Sequence, residues 1–124
     1  MDIILLNSAD HPIYQQIKDQ IIEQILTGDL PEGEQLPSIR MLAKELKISV
    51  ITTKRAYEEL EKEGYIDTVP GKGSFVSFHN KEILKQKQLQ SIQVQFKQIV
   101  RDAKKYEMTL EQMIECIKQC YEEE

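Results

Sequence analysis

The 124-residue chain contains few aromatic and sulfhydryl side chains. It has no tryptophan, three phenylalanines and five tyrosines, which rules out a core built mainly from aromatic rings. Its two cysteines, Cys116 and Cys120, give no disulfide framework. The aliphatic run of residues 3–6 is far shorter than the roughly 20 residues of a membrane span, and no basic region precedes it as in a signal peptide. We therefore expect a cytoplasmic chain with no membrane partner.

The sequence also has little that could support catalysis or metal binding. Its two histidines, His11 and His79, stand alone rather than in a cluster of metal-ligand residues. Cys116 and Cys120 lie four residues apart, a spacing that suits packing on one helix face. A thiol or metal sensor at this pair stays open, although two ligands do not complete a site. We predict that the chain is not an enzyme and has no cofactor and no structural metal.

The charge is distributed unevenly along the chain. The net charge is −5, which taken alone argues against a nucleic-acid partner. Residues 38–56, however, carry five basic side chains and one acidic side chain, and residues 57–67 carry five acidic and one basic. This local asymmetry indicates a basic surface on an otherwise acidic protein.

Three helices are predicted in the first half of the chain. The first runs from Pro12, which suits the first helical position, to Thr27, and isoleucine recurs in it every four residues. Gln35 and Leu36 form a short extended piece because a proline follows. Ser38 and Ser49 are suitable N-caps for the second and third helices. The inward-facing positions of these two helices are Ile39, Leu42, Ala43, Leu46, Thr53, Ala56, Tyr57 and Leu60.

A β-hairpin is predicted after the third helix, which Gly64 ends. Residues 65–69 and 74–78 are rich in β-forming residues, and residues 70–73 form the hairpin tip. Three helices with a tight turn before the third, followed by a hairpin, are typical of a winged helix-turn-helix. We predict a mainly α fold with a small β-hairpin, in which residues 1–79 form a winged helix-turn-helix domain.

The third helix has the charge pattern of a recognition helix. With its apolar residues inward, Ile51, Arg55 and Glu58 face outward, flanked by Thr52 and Lys54. Its first two turns are basic and hydroxylated, as a helix that enters the major groove by its N-terminal end requires. An exposed Ile51 suits contact with a thymine methyl group.

Residues 80–124 form a separate two-helix region. The first helix carries apolar residues at heptad spacing, and Thr109 with Gln112 forms a capping box that begins the second helix. These two apolar stripes need either the N-terminal domain or a second chain to cover them. We predict dimerisation through Leu89, Ile92, Phe96, Ile99, Ala103, Tyr106, Ile114 and Ile117.

Several ordered motifs carry a family resemblance. They are residues 12–17 (PIYQQI), 28–33 (GDLPEG), 36–43 (LPSIRMLA), 54–60 (KRAYEEL), 63–66 (EGYI) and 71–76 (GKGSFV). The chain resembles GntR-family transcription regulators over about residues 10–78. Its short C-terminal part resembles the YtrA-type branch of that family.

The resemblance implies a homodimer that binds an inverted-repeat operator on double-stranded DNA, usually to repress. With the charge pattern, it predicts a DNA-binding set of Ser38, Arg40, Ser49, Ile51, Thr52, Lys54, Arg55, Gly71, Lys72 and Gly73. Val50 and Ile51 stand where relatives often have other residues, so the base preference does not carry over. Lys47 stands where many relatives have glycine, which predicts a left-handed backbone at a cost of about 1 kcal/mol or more.

Two questions stay open at the sequence level. The alternative function is a protein-interaction module that uses a winged helix and a coiled coil without binding DNA. A steep fall of affinity with salt distinguishes DNA binding from that alternative. A small-molecule effector is unknown, since the C-terminal region is too short to enclose a typical pocket of its own.

Overall fold

A computed structural model describes residues 1–7, 10–78 and 81–124, so the predicted boundary at residues 79–80, including His79, lies outside the described residues. The predicted mainly helical class with a single hairpin is confirmed within these ranges. The elements in chain order are α1 (Ile13–Thr27), α2 (Ile39–Leu46), α3 (Val50–Lys62), β1 (Ile66–Val69), β2 (Gly73–Val76), α4 (Lys81–Lys105) and α5 (Leu110–Glu123).

The chain divides into two compact units, Met1–Lys85 and Gln86–Glu124. In the first unit, α1 and α2 both pack against α3, and the isoleucine stripe of α1 lies inside. Leu84 is buried in the same core, so the first turn of α4 belongs to this unit. The largest fully buried side chains are Tyr65, Ile17, Ile21, Leu42, Leu60, Ile66, Val76 and Thr53.

The helix ends follow the predicted capping residues closely. The hydroxyl groups of Ser38 and Ser49 accept hydrogen bonds from the N–H groups of Met41 and Thr52, both at 3.1 Å. Pro12 takes the N-cap position of α1 rather than the first helical position. Lys47, with φ of 56°, ends α2 in the left-handed conformation, as predicted.

The hairpin is antiparallel, with Ile66 opposite Val76 and Val69 opposite Gly73. Its strands are shorter than predicted at the end away from the tip. Tyr65 is excluded from β1 because its N–H bonds to the carbonyl of Leu60 at 2.9 Å and closes the end of α3. Phe78 is excluded from β2, and its ring lies over the backbone of Gly33.

The extended piece predicted at residues 35–36 pairs with the other edge of β2. The N–H of Leu36 bonds to the carbonyl of Ser74 at 2.8 Å, and the N–H of Val76 bonds to the carbonyl of Glu34 at 2.8 Å. Gln35 forms a bridge with Phe75. The hairpin, which is the wing of the winged helix-turn-helix, therefore has hydrogen bonds along both edges of β2.

The second unit consists of the remainder of α4 and all of α5. The predicted capping box is present, with the hydroxyl of Thr109 and the amide of Gln112 bonding each other's backbone. No residue described in this unit is buried. Among the helices that the structure describes, none combines the length and the hydropathy that a membrane span requires.

Candidate nucleic-acid interface

The N-terminal half of α3 presents an exposed face of mixed character. Ile51 is 81% exposed, and Lys54 lies beside it with an exposed side chain. The opposite face is buried at Thr53, Ala56 and Tyr57, as the helical spacing predicted. This half of the helix can offer side chains to a partner without disturbing the core.

The adjacent residues Lys54 and Arg55 have side chains that contact different partners. The guanidinium of Arg55 lies 3.8 Å from the centre of the Tyr14 ring on α1, and its Nε lies 3.9 Å from Glu59. The Nζ atom of Lys54 lies 3.7 Å from a carboxylate oxygen of Glu58, and both side chains of that pair are exposed. The guanidinium of Arg55 is therefore directed towards α1, whereas the ammonium of Lys54 pairs with an exposed residue of its own helix.

The two predicted serines have defined roles at the helix ends. The hydroxyl of Ser49 caps α3 and donates to the hydroxyl of Thr52 at 2.8 Å, while that of Ser38 caps α2. Arg40 lies in the first turn of α2 and is exposed. Arg40 therefore lies two residues after the Ser38 cap, in the same unit as the exposed face of α3.

A hydrogen bond absent from the sequence prediction links α3 to the start of α2. The hydroxyl of Tyr57 donates to the carbonyl of Pro37 at 2.7 Å. Burial raises the pKa of Tyr57 well above its usual range, so the hydroxyl keeps the proton that it donates. This bond fixes the chain immediately before Ser38 and Arg40.

The hairpin tip contains one lysine between two glycines. Gly71 and Gly73 have φ of 77° and 120°, conformations that favour glycine, and Lys72 between them is exposed. The amide nitrogen of Gln35 donates to the carbonyl of Lys72 at 2.8 Å. A Cβ on Gly73 would lie 2.7 Å from that same nitrogen, so the glycine permits the contact.

Sequence reasoning placed Gln35 in an extended segment but gave it no functional role. Its side chain joins residues 37 positions apart, and no local spacing signals such a pair. The predicted residues of α2, α3 and the hairpin lie in one unit. Gln35 is an addition to that set, because its side chain holds the backbone of the wing at Lys72.

The predicted dimerisation residues lie in the second unit with their apolar side chains largely open to solvent. Leu89, Ile92, Phe96, Ile99, Tyr106, Ile114 and Ile117 are all exposed, and Ala103 is partly buried. An apolar groove of about 570 Å³ lies between α4 and α5. Phe96, Ile99, Ala103, Ile114 and Ile117 contribute to its lining.

Comparison with known proteins places the chain in a family. The family described as "Bacterial regulatory proteins, gntR family" matches residues 13–76, just over half of the chain. The chain therefore belongs to the GntR family and is a DNA-binding transcription regulator, as predicted. Its relatives in this family are regulators rather than enzymes.

The chain is similar to individual proteins of known sequence or structure. The HTH-type transcriptional repressor YtrA of Bacillus subtilis is 39% identical, over 87% of this chain and 83% of that protein. A GntR family transcriptional regulator from Listeria monocytogenes has a TM-score of 0.70 and 30% identity, over 93% of this chain and 98% of that one. The AraR DNA-binding domain in complex with operator ORR3 has a TM-score of 0.53 and 26% identity, over 62% of this chain and 93% of that one.

Proposed function

We propose that this protein represses transcription in the cytoplasm by binding an inverted-repeat operator as a homodimer. The observation that carries the proposal is the exposed N-terminal half of α3, where Ile51 and Lys54 project from a capped helix end. A helix of this kind reads base edges in the major groove by its first turns. The repressor name of the relative YtrA supports the direction of regulation.

The proposed contacts divide into base reading and positioning. Ile51, Thr52 and Lys54 face the major groove, where an apolar side chain meets thymine and a cation meets guanine or phosphate. Arg40, in the first turn of α2, binds the backbone that this helix crosses or an adjacent base. Lys72 at the wing tip binds the minor groove or its phosphates.

The homodimer is supported by the open apolar surface of the second unit. No residue of α5 is buried, and the heptad side chains of α4 are exposed apart from the partly buried Ala103. Contiguous apolar surfaces of this kind mark interaction sites in soluble proteins. A second copy supplies an identical apolar surface, and two-fold symmetry then matches an inverted repeat.

Selection of bound duplexes from a random DNA pool tests the proposal directly. We expect two half-sites related by two-fold symmetry, with centres about 10 base pairs or a multiple apart. Affinity for the selected duplex should fall steeply as salt rises, because bound phosphates release counterions. Enrichment of no DNA would instead favour the protein-interaction module, and a single unrepeated half-site would contradict the dimer.

A further inference from the structure

Glu58 lies on the exposed face of α3 but has no part in the function proposed above. Ile51, Lys54 and Glu58 are three and then four residues apart, so they fall within a sector of about 60° on the helix. Seven residues of helix rise about 10.5 Å, which matches about three base pairs at roughly 3.4 Å each. This stripe therefore presents an apolar, a cationic and an anionic side chain in turn along about three base pairs.

The carboxylate of Glu58 is available to a new partner. One of its oxygens lies 3.7 Å from Nζ of Lys54, and both side chains are 62% exposed. An exposed ion pair of this kind contributes little stability, so the cost of exchanging it for contacts with DNA is small. Glu59, the next carboxylate on α3, is less exposed and lies beside Arg55, whose guanidinium contacts the Tyr14 ring. Glu58 is therefore better placed than Glu59 to reach a base.

A carboxylate in the major groove discriminates between bases because it only accepts hydrogen bonds. The polar groups that guanine and thymine present there are acceptors, adenine presents an acceptor beside its donor, and cytosine presents a donor alone. A carboxylate is repelled by phosphates and by base acceptors, so it is favoured most opposite cytosine. The ammonium of Lys54 has the opposite preference, since it only donates and guanine presents two acceptors.

We infer that Lys54 and Glu58 together read one G·C base pair, with Lys54 donating to guanine and Glu58 accepting from the N4 amino group of cytosine. This inference rests on the proposed entry of α3 into the major groove. Guanine O6 and cytosine N4 are hydrogen-bonded to each other at about 2.9 Å. The charged ends of the two side chains are 3.7 Å apart, so the side-chain pair matches this base edge in both spacing and charge.

The test compares the duplexes that the wild type, Glu58→Gln and Lys54→Ala select from a random DNA pool. We expect the wild type to prefer one G·C pair in each half-site by at least about fivefold over any other pair at that position. Glu58→Gln should replace that pair by A·T, with adenine in place of cytosine, because glutamine pairs bidentately with adenine. Lys54→Ala should lose the preference at the same position.

The matched control is Glu61→Gln, which makes the same charge change about one turn further along α3 and should select the wild-type sequence. Thermal unfolding of each variant should stay close to that of the wild type, because the substitutions are on the surface. An unchanged sequence selected by Glu58→Gln, even with tighter binding to every duplex, would mean that Glu58 only repels phosphate and would overturn the inference.

The pairing of the two side chains has its own criterion. Changes at two different positions in Lys54→Ala and Glu58→Gln would overturn the reading of a single shared base pair. If the wild type selected two half-sites that Glu58→Gln left unchanged, this inference alone would fail. If the wild type selected no DNA, the proposed function would fail with it.

Discussion

The side-chain amide of Gln20 bonds both backbone polar groups of Ile4. The N–H of Ile4 donates to Oε1 at 2.9 Å, and Nε2 donates to the Ile4 carbonyl at 2.7 Å. The amide of Gln16 likewise bonds both the N–H and the carbonyl of Leu6. Nε2 of Gln24 donates to the carbonyl of Asp2. A row of glutamines on α1 thus takes the place of a neighbouring strand for the N-terminal segment.

Simple geometry explains why this arrangement repeats. Four residues of helix rise about 6 Å, and two residues of an extended chain span about 6.6 Å. Glutamines four apart on α1 therefore stay in register with alternate residues of the segment. Ile3 and Leu5, which lie between the bonded residues, pack against the core.

Replacement of Gln16 by alanine should destabilise the first unit. Gln16 is buried, and its amide makes three hydrogen bonds, two with Leu6 and one with the carbonyl of His11. We expect a loss of about 1–3 kcal/mol in the free energy of unfolding, measured by urea denaturation. Gln15→Ala, next to it on α1, should cost clearly less. Equal losses in the two variants would mean that the glutamine row does not hold the segment.

Lys47→Gly should stabilise the protein. Lys47 adopts φ of 56° at the end of α2, a conformation that costs a residue with a Cβ about 1 kcal/mol and costs glycine little. We expect the urea midpoint to rise accordingly. Lys44→Gly, which removes the same side chain within α2, should lower stability by about 1 kcal/mol. A fall in both variants would show that the Lys47 backbone is not strained.

Local features of the fold could be predicted from the sequence, whereas contacts between distant segments could not. The caps at Ser38 and Ser49 and the left-handed Lys47 depend on residues within one helical turn, so local patterns indicated them. The pairing of Gln20 with Ile4 and of Gln35 with Lys72 depends on segments 16 and 37 residues apart. Although the glutamines recur every four residues on α1, that spacing does not indicate which distant backbone segment their amides bond, so no spacing rule could have identified these pairs. The stacking of Arg55 on Tyr14 escaped prediction for the same reason.

Phe96→Asp and Ile99→Asp should produce monomers. Both side chains are exposed on α4 and line the apolar groove, so a carboxylate there would be buried without a partner in the proposed dimer. Light scattering at micromolar concentration should report the mass of one chain. Val94→Asp places the same charge on an exposed residue of α4 that is not among the groove-lining residues, and it should remain dimeric. A monomeric wild type would exclude this interface.

Two variants of the wing distinguish the charge of Lys72 from the hydrogen bond that holds its backbone. Lys72→Ala should weaken binding to all duplexes about equally and reduce the slope of log affinity against log salt by about one unit. Gln35→Ala leaves the charge of Lys72 in place but removes the 2.8 Å bond that holds its carbonyl. We expect weaker binding with an unchanged salt slope. An unaltered affinity in Gln35→Ala would show that the wing needs no support from this side chain.

Arg40→Ala should separate DNA recognition from stability. Arg40 is exposed in the first turn of α2, beyond the Ser38 cap and next to the chain segment fixed by the bond from Tyr57 to Pro37. Arginine pairs bidentately with guanine or phosphate, so its loss should cost about 1–3 kcal/mol in operator binding if it reads a base. Thermal stability should change by no more than about 0.5 kcal/mol, because the substitution is on the surface and leaves the cap intact.

The control for Arg40→Ala must remove a charge from the acidic end of α3 without breaking a structural contact. Glu63 is unsuitable because its carboxylate pairs with Lys18 on α1 at 2.7 Å. Glu61 is exposed at that same end, and Glu61→Ala should bind the operator at least as well as the wild type, since it removes a charge that repels phosphate. Binding titrations of the three proteins at one salt concentration provide the comparison. Equal affinities for Arg40→Ala and the wild type would remove Arg40 from the interface, and weaker binding of Glu61→Ala would mean that α3 approaches DNA by its other end.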